Sequence, residues 1–174
     1  MKRSKVCQMP MPVMISRFRI RDKINFMITI QKYSEKDKIA ENQKEDIVKF
    51  LFEHLEQYGD PQGDIAAAVN YSLGHQNKPG GTIVTATDQN SQSLVGAVVL
   101  NKTGMGGYIP ENILVYIATD KKVRGQGIGK LLMQNAIGSC EGDIALHCEP
   151  ENPAMQLYKK LGFTSKYLEM RLKK

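Results

Sequence analysis

The sequence predicts a mixed α/β fold, and three observations carry that prediction. Short runs with period-2 alternation or continuous apolar character are interleaved with longer runs of helical spacing. Their order along the chain is β, α, α, β, β, β, α, β, α, β, which is not that of a repeat protein. Between a strand-like and a helix-like run stands a glycine-rich turn, Arg124-Gly125-Gln126-Gly127-Ile128-Gly129. The length of 174 residues fits one domain with a hydrophobic core of its own.

The first element is expected near Asn25, where Phe26, Ile28 and Ile30 alternate with Met27, Thr29 and Gln31 as in a strand. Ser34 followed by Asp37 opens a helical pattern, and Ile47, Phe50, Leu51, His54 and Leu55 recur at helical spacing as far as Tyr58-Gly59. Asp60-Pro61 breaks the chain, and a second helix is predicted from about Asp64 through Ala66-Ala67-Ala68 to Leu73. The stretch from His75 to Gly81 reads as a loop. Two strands, Thr82–Thr87 and Leu94–Leu100, follow at hairpin spacing across Asp88-Gln89-Asn90-Ser91. Beyond the flexible Gly104–Gly107, the near-continuous apolar run Ile113–Thr119 fits a central strand. A helix from about Gly127 to Ala136, a short strand Ile144–Cys148 and a helix from about Asn152 to Leu161 come next, with Gly162 as the expected C-cap. Alternation of Leu168, Met170 and Leu172 predicts a closing strand over Tyr167–Leu172.

Composition narrows the class. Apolar residues make up 41% and charged residues 24%, ordinary values for a globular protein. No apolar run reaches the roughly 18–20 residues of a membrane span, so no membrane partner is expected. The net charge of +6 resembles that of a nucleic-acid binder. Yet Lys2, Arg3, Lys5, Arg17, Arg19, Arg21 and Lys23 against Asp22 account for it, and the remainder of the chain is neutral. No aromatic-plus-basic interleaving occurs in the domain, so no nucleic acid is expected. Residues 1–24 therefore read as a basic, loosely attached extension, and residues 25–174 as the domain. Cys7, Cys140 and Cys148 are too few and scattered for a disulfide framework, which favours a reducing, cytoplasmic setting. His54, His75 and His147 lack ligand spacing, so no metal is expected.

The glycine turn carries the most chemistry. Glycines let backbone approach a ligand closely, and successive N–H groups at a helix start form an anion cradle. The helix dipole adds partial positive charge, and Arg124 and Lys130 flank the turn. A pyrophosphate fits such a site. A dinucleotide fingerprint needs different glycine spacing, an early position and a later acidic residue; a Walker loop needs Ser or Thr where Leu131 stands.

The run Arg124-x-x-Gly127-x-Gly129 after an apolar strand resembles the acyl-CoA signature of the GNAT acetyltransferase superfamily. The segment Asn152-Pro153-Ala154-Met155-Gln156-Leu157-Tyr158-Lys159-Lys160-Leu161-Gly162-Phe163 is similar to that family's second block, and together the likeness covers about residues 26–174. One departure is that the family's frequent asparagine falls at Glu151, with Asn152 displaced by one. The resemblance implies a mixed, mostly antiparallel sheet of about six to seven strands flanked by four helices. It implies acetyl-CoA as co-substrate, with pantetheine between splayed strands and paired with the backbone of Ile117 and Thr119. The pyrophosphate would lie on the amides of Gln126, Gly127, Ile128, Gly129 and Lys130, within a turn that also includes Arg124 and Gly125. Asn152 and Tyr158 would lie near the cofactor arm and the thioester sulfur.

Acetyl transfer to an amine needs a neutral nucleophile, and a lysine-like amine of pKa about 10.4 is over 99% protonated at pH 7. A base is therefore expected. The resemblance puts it at Glu111, thirteen residues before Arg124, with Glu149 and His147 in reserve; an exposed strand-end carboxylate is the plainer reading of Glu111. By the same resemblance Tyr158 protonates the departing sulfur, or else packs and binds CoA. A backbone N–H near Ile117 or Ala118 would meet the oxyanion. Cys148 fits the core better than a nucleophile's place. The function implied is direct acetylation of a primary amine of a small molecule or peptide; the alternative is a catalytically silent acyl-CoA-binding or regulatory module. A homodimer is left open.

Overall fold

The computed structural model describes residues 15–17, 27–172 and 174. Among the described residues six strands and four α-helices run in the order β1 (Ile15–Arg17), β2 (Met27–Ser34), α1 (Glu41–Leu55), α2 (Gln62–Ser72), β3 (Gly81–Asp88), β4 (Ser93–Lys102), β5 (Asn112–Thr119), α3 (Ile128–Ile137), β6 (Ile144–Leu146) and α4 (Met155–Lys160). They form one sheet in sequence order, β1-β2-β3-β4-β5-β6. Every pairing is antiparallel except β5 with β6, which is parallel. The mixed, mostly antiparallel sheet and the four helices agree with expectation.

The strand set does not. Five of the expected strands form, but Tyr167–Leu172 pairs with no strand among the described residues, and Tyr167, Leu168, Met170 and Leu172 are 79–87% exposed. Alternation marks a segment able to form a strand, whereas a strand exists only where an edge accepts its hydrogen bonds. The sixth place is taken by β1, inside the segment read from the sequence as a basic, loosely attached extension. The rest of residues 1–24 lies outside the described residues.

Helices cover both faces of the sheet. On one face α3 and α4 pack on Ile28, Ile30, Val84, Val98, Leu100 and Leu114, with Leu132 and Met133 fully buried. On the other, α1 and α2 bring Leu51, Ile65 and Val69 against Ile83, Ala97, Val99 and Tyr116. Double coverage explains why β3 and β4 read as continuous apolar runs: seven of eight residues of β3 are buried.

Helix starts differ from expectation for a local reason. The Ser34 N–H and hydroxyl both donate to Asp37 Oδ2 at 2.8 Å, and Asp37 N–H returns to the Ser34 carbonyl. That closes a turn, and α1 begins only at Glu41. Likewise Asn152 accepts the Ala154 N–H on its own side chain at 2.9 Å, so α4 starts at Met155. At its other end the expected cap is present. Gly162 sits at φ 94°, its N–H reaches Lys159 O, and Phe163 N–H reaches Tyr158 O. Phe163 then packs edge-on against Tyr158, completing a Schellman motif.

Candidate functional site

Two features of β5 set the site. The first is a bulge: Val99 pairs with Tyr116 but Leu100 with Leu114, so Val115 is the extra residue. Leu114 therefore faces the α3 side, whereas Tyr116 and Ala118 face α1 and α2. The second is the shortness of β6, which pairs with Asn112, Ile113 and Leu114 alone. From Val115 to Thr119 no described strand occupies that edge. Asn112 N–H points to the β6 side, donating to Asp143 O. Counting on from it through the bulge turns the N–H and C=O of Ile117 and Thr119 to the open edge.

At the end of that edge the chain passes through a 3₁₀ turn, Lys121–Val123, into the glycine turn. Gly125 and Gly127 stand at φ 77° and 85°, values that cost a residue with a Cβ. Gly127 then caps α3 without any side chain, so the first-turn amides of α3 are uncapped. Lys130, on that turn, is exposed and in no ion pair among the described residues. Uncapped amides, a helix dipole and a free lysine suit a pyrophosphate. Ile128 is buried under the turn and anchors it to the sheet.

Arg124 is engaged elsewhere. Its Nη2 lies 2.9 Å from both Glu56 Oε1 and His54 O, and its Nε donates to Thr119 O at 3.2 Å. Gln126 turns its amide back to Lys122 O at 3.4 Å, leaving its Oε1 buried without a partner.

Tyr158 lies under the α3–α4 face, 8% exposed, and its hydroxyl has no hydrogen-bond partner among the described residues. Burial, with Cys148 nearby, pushes its pKa up, so the phenol is neutral at physiological pH. Burial likewise raises the Cys148 thiol, which fits poor nucleophilicity.

Glu111 sits at the closed end of the β5–β6 pair. Its Oε2 accepts the Asp143 N–H at 2.8 Å and its Oε1 the Gly107 N–H at 3.4 Å. These amides, that of Asp143 foremost, hold its carboxyl below the usual range. Glu149 is exposed, and exposed His147 lies 3.9 Å from Glu169.

The segment joining α1 to α2 is tied to the site by side-chain bonds. Glu56 bonds Lys121 and Arg124 beside the glycine turn; Tyr58 hydroxyl donates to Glu151 O at 3.3 Å; Tyr116 hydroxyl donates to Asp60 Oδ2 at 2.7 Å. These partners lie far apart in sequence, so no local pattern could have revealed them. A separate cavity of about 500 Å³, lined by Asn70, Tyr71, His75 and Asn101 among others, lies at the opposite end of β4 from the turn. Among the described residues no cluster of His, Cys, Asp or Glu could hold a metal, and no helix is long and apolar enough to cross a membrane.

Solved structures of similar shape come from several bacteria. A GNAT-family acetyltransferase from Streptococcus pneumoniae matches with TM-score 0.60 and 21% identity, over 85% of this chain and 98% of that one. A ribosomal-protein-alanine N-acetyltransferase from Brucella melitensis matches at 0.56 and 14%, over 84% and 98%. A histone-acetyltransferase-related protein from Corynebacterium glutamicum matches at 0.54 and 21%, over 76% and 86%. At such identities the likeness establishes the fold. In sequence, residues 79–165, half of the chain, match the acetyltransferase (GNAT) domain. That span runs from the start of the β3–β4 hairpin through the open edge, the glycine turn and Tyr158, and the chain belongs to the GNAT acetyltransferase family.

Proposed function

We propose that this protein transfers an acetyl group from acetyl-CoA directly to a primary amine of a small molecule or peptide. The observation that carries the reading is the continuity of the β5 edge Val115–Thr119, which no described strand pairs, with the uncapped amides that start α3. An extended amide-containing chain fits the edge as a strand would, and a pyrophosphate fits the turn. Acetyl-CoA supplies a thioester-activated acetyl group.

In this reading Ile117 and Thr119 bind the pantetheine amides, and Gln126, Gly127, Ile128, Gly129 and Lys130 bind the pyrophosphate. Arg124 and Gly125 shape the turn, Arg124 by holding it to Glu56. An N–H near Ile117 or Ala118 meets the negative charge that develops on the acyl oxygen. Asn152, through the turn it forms, sets the start of the helix that carries Tyr158. The neutral Tyr158 phenol donates to the departing sulfur and is reprotonated from solvent. Glu111, ionised at neutral pH, receives the amine's proton through water; the amides that keep it ionised also weaken it as a base. The setting is cytoplasmic, and the acetyl acceptor is the partner.

Calorimetry with acetyl-CoA and a thiol-release assay over a panel of amines test the reading. Binding together with amine-dependent thiol release is expected. Binding with no release from any amine would leave a silent acyl-CoA-binding module.

A further inference from the structure

The segment from Glu56 to Pro61 is a strap tied at three points around the open edge. Its first residue is tied to the glycine turn through Lys121 and Arg124. Tyr58 is tied to the loop between β6 and α4 at Glu151, and Asp60 to β5 at Tyr116. Both ends of this short segment are therefore tied to β5 and the turn that follows it, while its middle, Tyr58, reaches the residues after β6. Asp60 belongs to the β5 wall of the gap between the two, presented there by a tyrosine that the bulge at Val115 has turned to the α1–α2 side.

The strap's charges are not equivalent. Glu56 is neutralised by two cations, whereas Asp60 is exposed, and its second oxygen, Oδ1, has no partner among the described residues. Asp64, one helical turn on in α2, adds a second exposed carboxylate whose field also reaches Tyr116. The nearby guanidinium of Arg171 is paired with Glu169. The wall is thus acidic, and α1, α2 and the strap lie outside the span matched by the family, residues 79–165.

We infer that Asp60, oriented by Tyr116, selects amines that carry a second positive charge, such as linear diamines; the inference rests on the acetyltransferase reading above. A carboxylate bound to the reacting nitrogen would hold it protonated and block attack. A fixed, oriented carboxylate on the wall instead suits an ammonium distant from the reacting one, and leaves that nitrogen free to lose its proton.

The test uses the full chain, acetyl-CoA, and two acceptors, a linear diamine and the monoamine of equal chain length. A charge-assisted hydrogen bond should favour the diamine by about tenfold in kcat/KM. Asp60→Asn should bring the ratio of diamine to monoamine close to one, mainly through KM. Tyr116→Phe, which keeps the ring and frees the carboxylate, should lower the ratio less. Acetyl-CoA affinity of each variant reports that the site still folds. Equal turnover of the two amines by the unmodified protein, or a ratio indifferent to Asp60→Asn, overturns the inference alone. No thiol release from either amine, with release from another amine of the panel, also overturns the inference alone; acetyl-CoA binding with no release from any amine overturns the transferase reading and the inference with it.

Discussion

In the proposed reaction Tyr158 has one task, to protonate the departing sulfur. A buried phenol with a raised pKa and no protein partner has a hydroxyl available to a ligand and remains protonated when that ligand needs a donor. Tyr158→Phe should therefore lower kcat by roughly a hundredfold with acetyl-CoA affinity nearly intact, since the interaction forms in the transition state. A change confined to KM would assign Tyr158 to binding. Glu111→Gln is the companion: if Glu111 is the base, the acidic limb of the kcat/KM profile disappears with most of the rate. An unchanged limb would point to another base. Gly127 is the third such residue. At φ 85° a Cβ there is strained, and beside the uncapped amides a carboxylate would compete with the proposed pyrophosphate. Gly127→Asp should weaken acetyl-CoA binding at least about tenfold, or 1.4 kcal/mol, and calorimetry showing unchanged affinity would remove the pyrophosphate from this turn.

Among the elements, α4 is the most exposed to a single change. It has six residues, too few to be stable on intrinsic propensity, and is held by Tyr158 and the Schellman cap at Gly162. A Cβ at Gly162 would meet nothing within 4 Å, so space is not what excludes a side chain there. The φ of 94° is. Gly162→Ala should cost about 1–2 kcal/mol in chemical denaturation. An unperturbed midpoint would mean that the cap does not hold the helix. The bulge in β5 works on the same scale: one extra residue reverses which face each later side chain takes, and so brings Tyr116 to Asp60.

For the whole molecule, titration sets a window of stability. Glu35, Glu56 and Glu111 all have lowered pKa values, from the Lys102 bond, the Lys121 bond and the Asp143 amide respectively. A carboxylate lowered by folding stabilises above its unfolded value, about 4.3, and that contribution is lost as pH falls through the folded value. Tyr116 and Tyr158 are raised, chiefly by burial. Their contribution is whole below about pH 10 and is lost as pH rises through their folded values. Thermal unfolding should accordingly be flat between about pH 5 and 9 and decline on both sides. Glu111→Gln should soften the acid decline and Tyr158→Phe the alkaline one. A midpoint that stays level down to pH 3 would show that these carboxylates gain nothing on folding.

What the sequence determined by itself was whatever depends on near neighbours in the chain. Burial with period 2 in β2, helical spacing in α1, the glycine turn and the Gly162 cap all follow from residues a few positions apart, so their pattern is written locally. The two blocks around Gly127 and Tyr158 belong to this class, which is why the family was legible. Only the tertiary structure decided the rest. A strand needs an edge, so Tyr167–Leu172 could alternate correctly and still pair with no described strand, while Ile15–Arg17 found β2 without any pattern of its own. The bulge at Val115 exists only in the register of β4 against β5. Tyr58 meets Glu151 across 93 positions, Arg124 meets His54 across 70, and Tyr116 meets Asp60 across 56. Hydrogen bonds between residues so distant depend on where the whole sheet places them, and a single sequence carries no periodicity that could record it.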